Sequence, residues 1–151
     1  MFFPVFLDIK NKECLIIGAG NVALRKINKL LKYECKNITV ISDKVLDDIK
    51  KLSDDKKIKI INNKFDVELL EKYFLVIAAT DDEKTNNEIS DLCIKKNILV
   101  NNASSKDNMN IRFCTSIENE EYSIAISADG NPQKALELKE KIKKYLNKNI
   151  Q

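Results

Sequence analysis

Histidine and tryptophan are absent from this 151-residue chain, and glycine (three) and proline (two) are scarce. Without histidine there is no Ser/His/Asp or Cys/His triad and no histidine-bearing zinc site. Proton transfer is left to carboxylates, Lys, Tyr, Cys, water or a substrate. The four cysteines, Cys14, Cys35, Cys93 and Cys114, show no CxxC spacing, so no metal site is expected and buried, reduced thiols are. That state suits a cytoplasmic protein. No apolar run approaches the roughly 20 residues a membrane helix needs. The apolar start reaches Asp8 within a few residues and has no basic stretch, so it does not read as a signal peptide. Arg25 and Arg112 are the only arginines, and a net charge of +3 spread over a chain that is 32% charged gives no basic stripe for nucleic acid.

What the chain does have is alternation. Residues 14–17, 38–41 and 75–79 are short apolar runs, each ended by a turn signal, as strands buried on both faces would be. Between them the period changes. Val22, Ala23, Ile27, Leu30 and Leu31 recur at helical spacing to about Tyr33. Val45, Leu46, Ile49 and Leu52 read as a short helix, residues 57–61 as a strand, and residues 67–70 as a single helical turn. Ile89, Leu92, Cys93 and Lys96 mark a helix that Asp81 or Asp82 can cap. Residues 98–100 follow as a strand, and 101–110 read as a polar loop. The order implies a Rossmann-type, doubly wound parallel sheet of the α/β class over residues 1–111.

After Ile111 the pattern differs. Residues 112–117 and 122–127 read as a hairpin, and a final helix puts Ala135, Leu138, Ile142 and Tyr145 on one face. Residues 112–151 are too few for an independent core, so this hairpin-plus-helix segment is expected to pack on the sheet or on a second copy of the chain.

One motif carries chemistry. Gly18-Ala19-Gly20-Asn21-Val22-Ala23 fits G-x-G-x-x-G/A, follows a buried run and opens an amphipathic helix. Two of the three glycines fall here. Gly18 permits the tight turn, Gly20 lets a diphosphate approach the backbone, and Ala23 keeps the helix against the sheet. The amides of Asn21 and Val22 lie at the positive end of the helix dipole. An acid about 20 residues on is expected to bind ribose hydroxyls. Asp43 fits that role and favours NAD, while neighbouring Lys44 leaves NADP open. Thr80 follows the third apolar run, where an open α/β sheet presents ligand contacts.

The stretch Phe3-Pro-Val-Phe-Leu-Asp8 with Cys14-Leu-Ile-Ile-Gly-Ala-Gly-Asn-Val-Ala-Leu-Arg-Lys26 resembles the N-terminal module of siroheme synthases. This is the precorrin-2 dehydrogenase and sirohydrochlorin ferrochelatase family. Ile77-Ala-Ala-Thr-Asp-Asp82 with Asn86, Val100-Asn101, Ile124-Ala-Ile-Ser127 and the Gly130/Pro132 turn fit the same pattern. The resemblance implies an NAD-dependent oxidation of precorrin-2, a carboxylate-rich tetrapyrrole, to sirohydrochlorin, by a homodimer that associates through the segment after the Rossmann domain. It implies substrate contacts at Asn101, Arg112 and Ser127. It also places Ser104 where the family carries its key aspartate, with Asp107 three residues on as the nearest substitute. Ferrochelation is therefore less expected than oxidation. The alternative is a non-catalytic NAD-binding accessory or regulatory protein of tetrapyrrole synthesis.

Overall fold

The structure, a computed structural model, describes residues 2–63 and 67–149. It divides into two compact units, residues 1–111 and 112–151.

In the first unit the strands β1 (Glu13–Ile17), β2 (Asn37–Ile41), β3 (Lys59–Ile61), β4 (Leu75–Ala78) and β5 (Leu99–Asn102) form one parallel sheet, ordered β3-β2-β1-β4-β5. Helices α1 (Asn21–Lys32), α2 (Asp47–Asp54) and α3 (Glu83–Lys95) supply the crossovers with a 3-10 segment, Val67–Lys72. The order reverses between β1 and β4, and that switch point is where an open α/β sheet opens a crevice. Strand alternation sends Leu15 and Ile17 to one face with Val76, Val100, Ile89 and Cys93. Cys14 and Ile16 take the other face, and α1 contacts β1 with Ala23, Ile27 and Leu30 buried. Each buried Leu or Ile contributes on the order of 1.5–3 kcal/mol.

All three helices end in the same way. Glu34, Lys56 and Asn97 hold φ of 57°, 58° and 56°, the left-handed C′ position where glycine is usual. The next amide reaches back in each case: Cys35 N–H to Leu30 O, Lys57 N–H to Leu52 O, and Ile98 N–H to Cys93 O. These are Schellman caps made without glycine. Cys35 then sits with its Sγ 3.5 Å from the Sγ of Cys14, both as buried free thiols.

Two sequence-based spans in this unit need correction. Helix α2 begins at Asp47, so Val45 and Leu46 precede it and Leu46 serves as its N-cap. Strand β5 runs on through Asn101 and Asn102, where the sequence pattern predicts loop; both are buried and their amides are satisfied internally. Beyond β5, Asn110 lies along the strand's free edge. Its Oδ1 accepts from Val100 N at 2.6 Å and its Nδ2 donates to Ile98 O at 2.8 Å. The Asn110 and Ile111 amides both reach Val100 O.

The second unit is an antiparallel pair, β6 (Thr115–Glu118) and β7 (Ser123–Ile126), with α4 (Pro132–Asn149). The strands are shorter than the sequence suggests. Asn119 Oδ1 accepts from the Glu121 and Tyr122 amides and closes the turn, and Arg112 to Cys114 lie outside the ladder. Cys114 is accordingly half-buried rather than core. Ile117, Ile126 and Ala135 form a small cluster with Ile142 and Leu146 against it. Leu138 and Tyr145, expected on that inner face, are 44% and 67% exposed. The stripe that packs is 135, 142 and 146, one helical edge away from theirs.

Candidate dinucleotide site

Strand β1 ends in a bend that only glycine can make. Gly18 holds φ of 101°, and a Cβ there would lie 2.3 Å from Ala79 O and 2.8 Å from Thr80 N. The turn after β1 is thus pressed against the turn after β4. Gly18 N–H donates to Ile41 O and Ala79 N–H to Ile17 O, which lock the ends of β1, β2 and β4 together. Gly20 differs. A Cβ built on it meets nothing within 4 Å, so the space above it is open on the side where a diphosphate would approach.

Gly20 is also the N-cap of α1, with no side chain capping it and no acid in the first turn. The α3 start is the opposite. Asp82 accepts from the Lys84 and Thr85 amides and from the Thr85 hydroxyl, and Glu83 adds charge to the first turn. Those donations hold the Asp82 carboxyl below its usual range. Three helices start at this edge of the sheet; α2 carries Asp47 and Asp48 in its first turn and α3 is capped by Asp82, so among the described residues only α1 has neither an acid nor a capping side chain at its positive end. That arrangement fits a dinucleotide diphosphate.

Asp43 and Lys44 follow β2 on an exposed turn. Ser42 shapes it: its Oγ donates to Lys44 O at 2.7 Å and accepts from Lys44 N. The expected ribose carboxylate therefore stands just past the strand end beside β1, as a dinucleotide site requires.

Thr80 leads to a residue absent from the sequence-based site. Asn86, fully buried in the first turn of α3, accepts from Thr80 N and Thr80 Oγ1 through its Oδ1, at 3.0 and 2.8 Å. Its Nδ2 donates to Thr80 O at 3.1 Å and to Ser104 Oγ at 2.6 Å. All four capacities of one amide are used. The available signal was a lone asparagine on the helical stripe Asn86, Ile89, Ser90, Cys93.

Ser104 itself is exposed at the start of the loop after β5, and Asn102 Oδ1 fixes its backbone amide. Asp107 is also exposed; Ser105 Oγ accepts from its amide and from that of Asn108. Asn101 is 3% exposed and spent inward: it accepts from Lys26 Nζ at 2.8 Å and donates to Ile111 O at 3.0 Å. Burial, with Lys29 and Arg25 nearby, lowers the Lys26 ammonium to about 8. In the second unit Arg112 pairs with Asp129 at 3.2 Å, and Ser127 is exposed. Asn131 caps α4 by accepting from Lys134 N, with Pro132 opening the helix.

A switch-point crevice, a glycine bend wedged on the neighbouring turn and an uncapped α1 define a dinucleotide-binding α/β protein. The chain belongs to the family described as "Putative NAD(P)-binding", whose model matches residues 5–115. The siroheme synthase of Buchnera aphidicola subsp. Acyrthosiphon pisum is 37% identical over 146 residues, 96% of this chain and 31% of that protein. The siroheme synthase of Pseudoalteromonas translucida is 33% identical over 150 residues, 99% of this chain and 32% of that protein. The chain thus spans about a third of the length of these relatives. Among solved structures, SirC, a precorrin-2 dehydrogenase, superposes with a TM-score of 0.82 at 28% identity, covering 95% of this chain and 71% of that one.

Proposed function

We propose that the chain is an NAD-dependent precorrin-2 dehydrogenase that forms sirohydrochlorin, working as a homodimer. The observation that carries this reading is the wedged Gly18 bend beside the open space at Gly20, in a chain similar across 95% of its length to a solved precorrin-2 dehydrogenase. When bound, the dinucleotide supplies the hydride acceptor. The chain's own residues bind and orient. Asn21 and Val22 amides face the diphosphate, Asp43 takes the ribose hydroxyls, and Thr80 lies at the end of β4 beside the crevice. A 2′-phosphate would meet the Asp43 carboxylate, which supports NAD over NADP. Oxidation to a more conjugated macrocycle is downhill, so alignment of the two partners carries much of the catalysis. Asp107 is assigned to the reacting edge of the substrate, and Ser104, from the same loop, to a substrate contact. Arg112 and Ser127 are assigned to its carboxylates, and Asn101 acts by holding Lys26.

The test is to mix purified protein, precorrin-2 and NAD and to follow NADH absorbance, with NADP as the second arm. Turnover above the spontaneous rate with NAD supports the assignment. NAD binding without turnover would instead make the chain an accessory protein, a reading favoured by serine in place of a carboxylate at position 104.

A further inference from the structure

Resting on the dehydrogenase reading, we infer that Asn86 is a positioning residue that turns Ser104 into a hydrogen-bond donor for a substrate carboxylate, so that position 104 binds rather than removes a proton.

The orientation of the Asn86 amide is set by partners that leave no choice. Thr80 N–H can only donate, so the atom 3.0 Å from it is the amide oxygen. Thr80 O can only accept, so the atom 3.1 Å from it is the amide nitrogen. Both constraints agree, and they leave the nitrogen facing Ser104 Oγ at 2.6 Å. An amide NH2 has no lone pair to offer. Ser104 Oγ must therefore accept, and its single proton is turned away from Asn86. Among the described residues no acceptor takes that proton, while the Ser104 amide is already committed to Asn102 Oδ1. An exposed hydroxyl whose proton is held outward meets an acceptor, and the acceptors on a carboxylate-rich tetrapyrrole are its side-chain carboxylates.

Thr80 is the contrasting case on the same amide. Its hydroxyl lies 2.8 Å from Asn86 Oδ1 and also accepts from Asp82 N, so its proton is spent inside the protein. One buried asparagine thus sets opposite polarities on two hydroxyls, donor-inward at the β4 turn and donor-outward at the β5 loop.

The decisive variants are Ser104→Ala, Asn86→Asp and the double. An aspartate at 86 still accepts from Thr80 N but cannot donate, so Ser104 swings its proton inward and stops being a donor outward. Two readouts are used: steady-state kinetics with precorrin-2 and NAD, and binding of sirohydrochlorin followed by its fluorescence without NAD. Each single variant is expected to raise KM for precorrin-2 and Kd for sirohydrochlorin about tenfold, with kcat changed by less than about twofold. The double should lose no more than either single. NADH affinity of Ser104→Ala should match the wild type.

A fall in kcat at unchanged KM, losses that multiply in the double, or unchanged sirohydrochlorin binding in Ser104→Ala would each overturn the inference. Ser104→Ala alone decides if the buried charge of Asn86→Asp prevents folding. Absence of wild-type turnover overturns the dehydrogenase reading instead, and the donor role is then judged on sirohydrochlorin binding alone.

Discussion

The Cβ that Gly18 lacks would stand 2.3 Å from the carbonyl oxygen of Ala79. Two turns that belong to different crossovers are thereby in backbone contact, and neither can shift without the other. Gly18→Ala is expected to cost about 2 kcal/mol or more of folding stability, through both the close contact and the positive φ. Gly20→Ala meets no neighbour and should change stability by less than about 0.5 kcal/mol. It should nonetheless weaken NADH binding about tenfold or more, because its methyl occupies the approach to the first-turn amides. Thermal melts and an NADH fluorescence titration of both variants check this. Equal loss of stability in the two would contradict it.

Asp43→Ala should lower NAD affinity about tenfold, the worth of a charge-assisted hydrogen bond to a ribose hydroxyl. It should leave NADP affinity the same or higher, since a carboxylate that repels a 2′-phosphate is gone. Parallel titrations with the two coenzymes read the ratio. An unchanged ratio would reduce Asp43 to a turn residue.

The three glycine-free Schellman caps predict easy gains. Lys56 has an exposed side chain at φ 58°. Lys56→Gly removes the left-handed penalty of an L-residue and should raise unfolding free energy by about 1 kcal/mol. Denaturant melts compare the midpoints. A loss would mean that the side chain contributes more than the backbone strain costs.

Lys26 gives a pH dependence of definite sign. Its folded value, about 8, lies below the ordinary 10.5. Between those values the unfolded chain holds a proton that the folded chain has released. Raising pH through that window therefore favours folding. Relative to Lys26→Met, which cannot titrate, the wild type should gain stability from pH 8 upward and level off near 10.5. Unfolding free energies of both proteins across that range measure it, and a flat difference would mean the ammonium is not perturbed.

Much of this fold is legible as periodicity. The doubly buried runs at β1, β2 and β4 and the helical stripe of α1 follow from apolar spacing alone. The glycine bend is legible from the G-x-G-x-x-A motif instead. Other features were hidden because polar residues were doing structural jobs. Asn101 and Asn102 look like loop, since asparagine disfavours strands. They stand in β5 because Lys26, Ile111, Asn87 and the Ser104 amide satisfy them. Asn86 stands in the sequence only as a residue that fits the family pattern, and its structural job shows in its four hydrogen bonds. On α4 two equally spaced apolar stripes exist, and no spacing rule decides which one meets the hairpin. The α1 terminus was legible for a different reason: no acid or capping side chain stands there to compete with an anion.

Asn110 has a consequence for how the protein behaves in a crowded solution. A parallel sheet's outer strand normally offers a ladder of unused amides and carbonyls on which a stray polypeptide can grow. Here one folded-back carboxamide imitates that missing neighbour, occupying Ile98 O and Val100 N. With the Asn110 and Ile111 amides on Val100 O, the chain itself covers this rim of the sheet at residues 98–100 and guards it against runaway self-association.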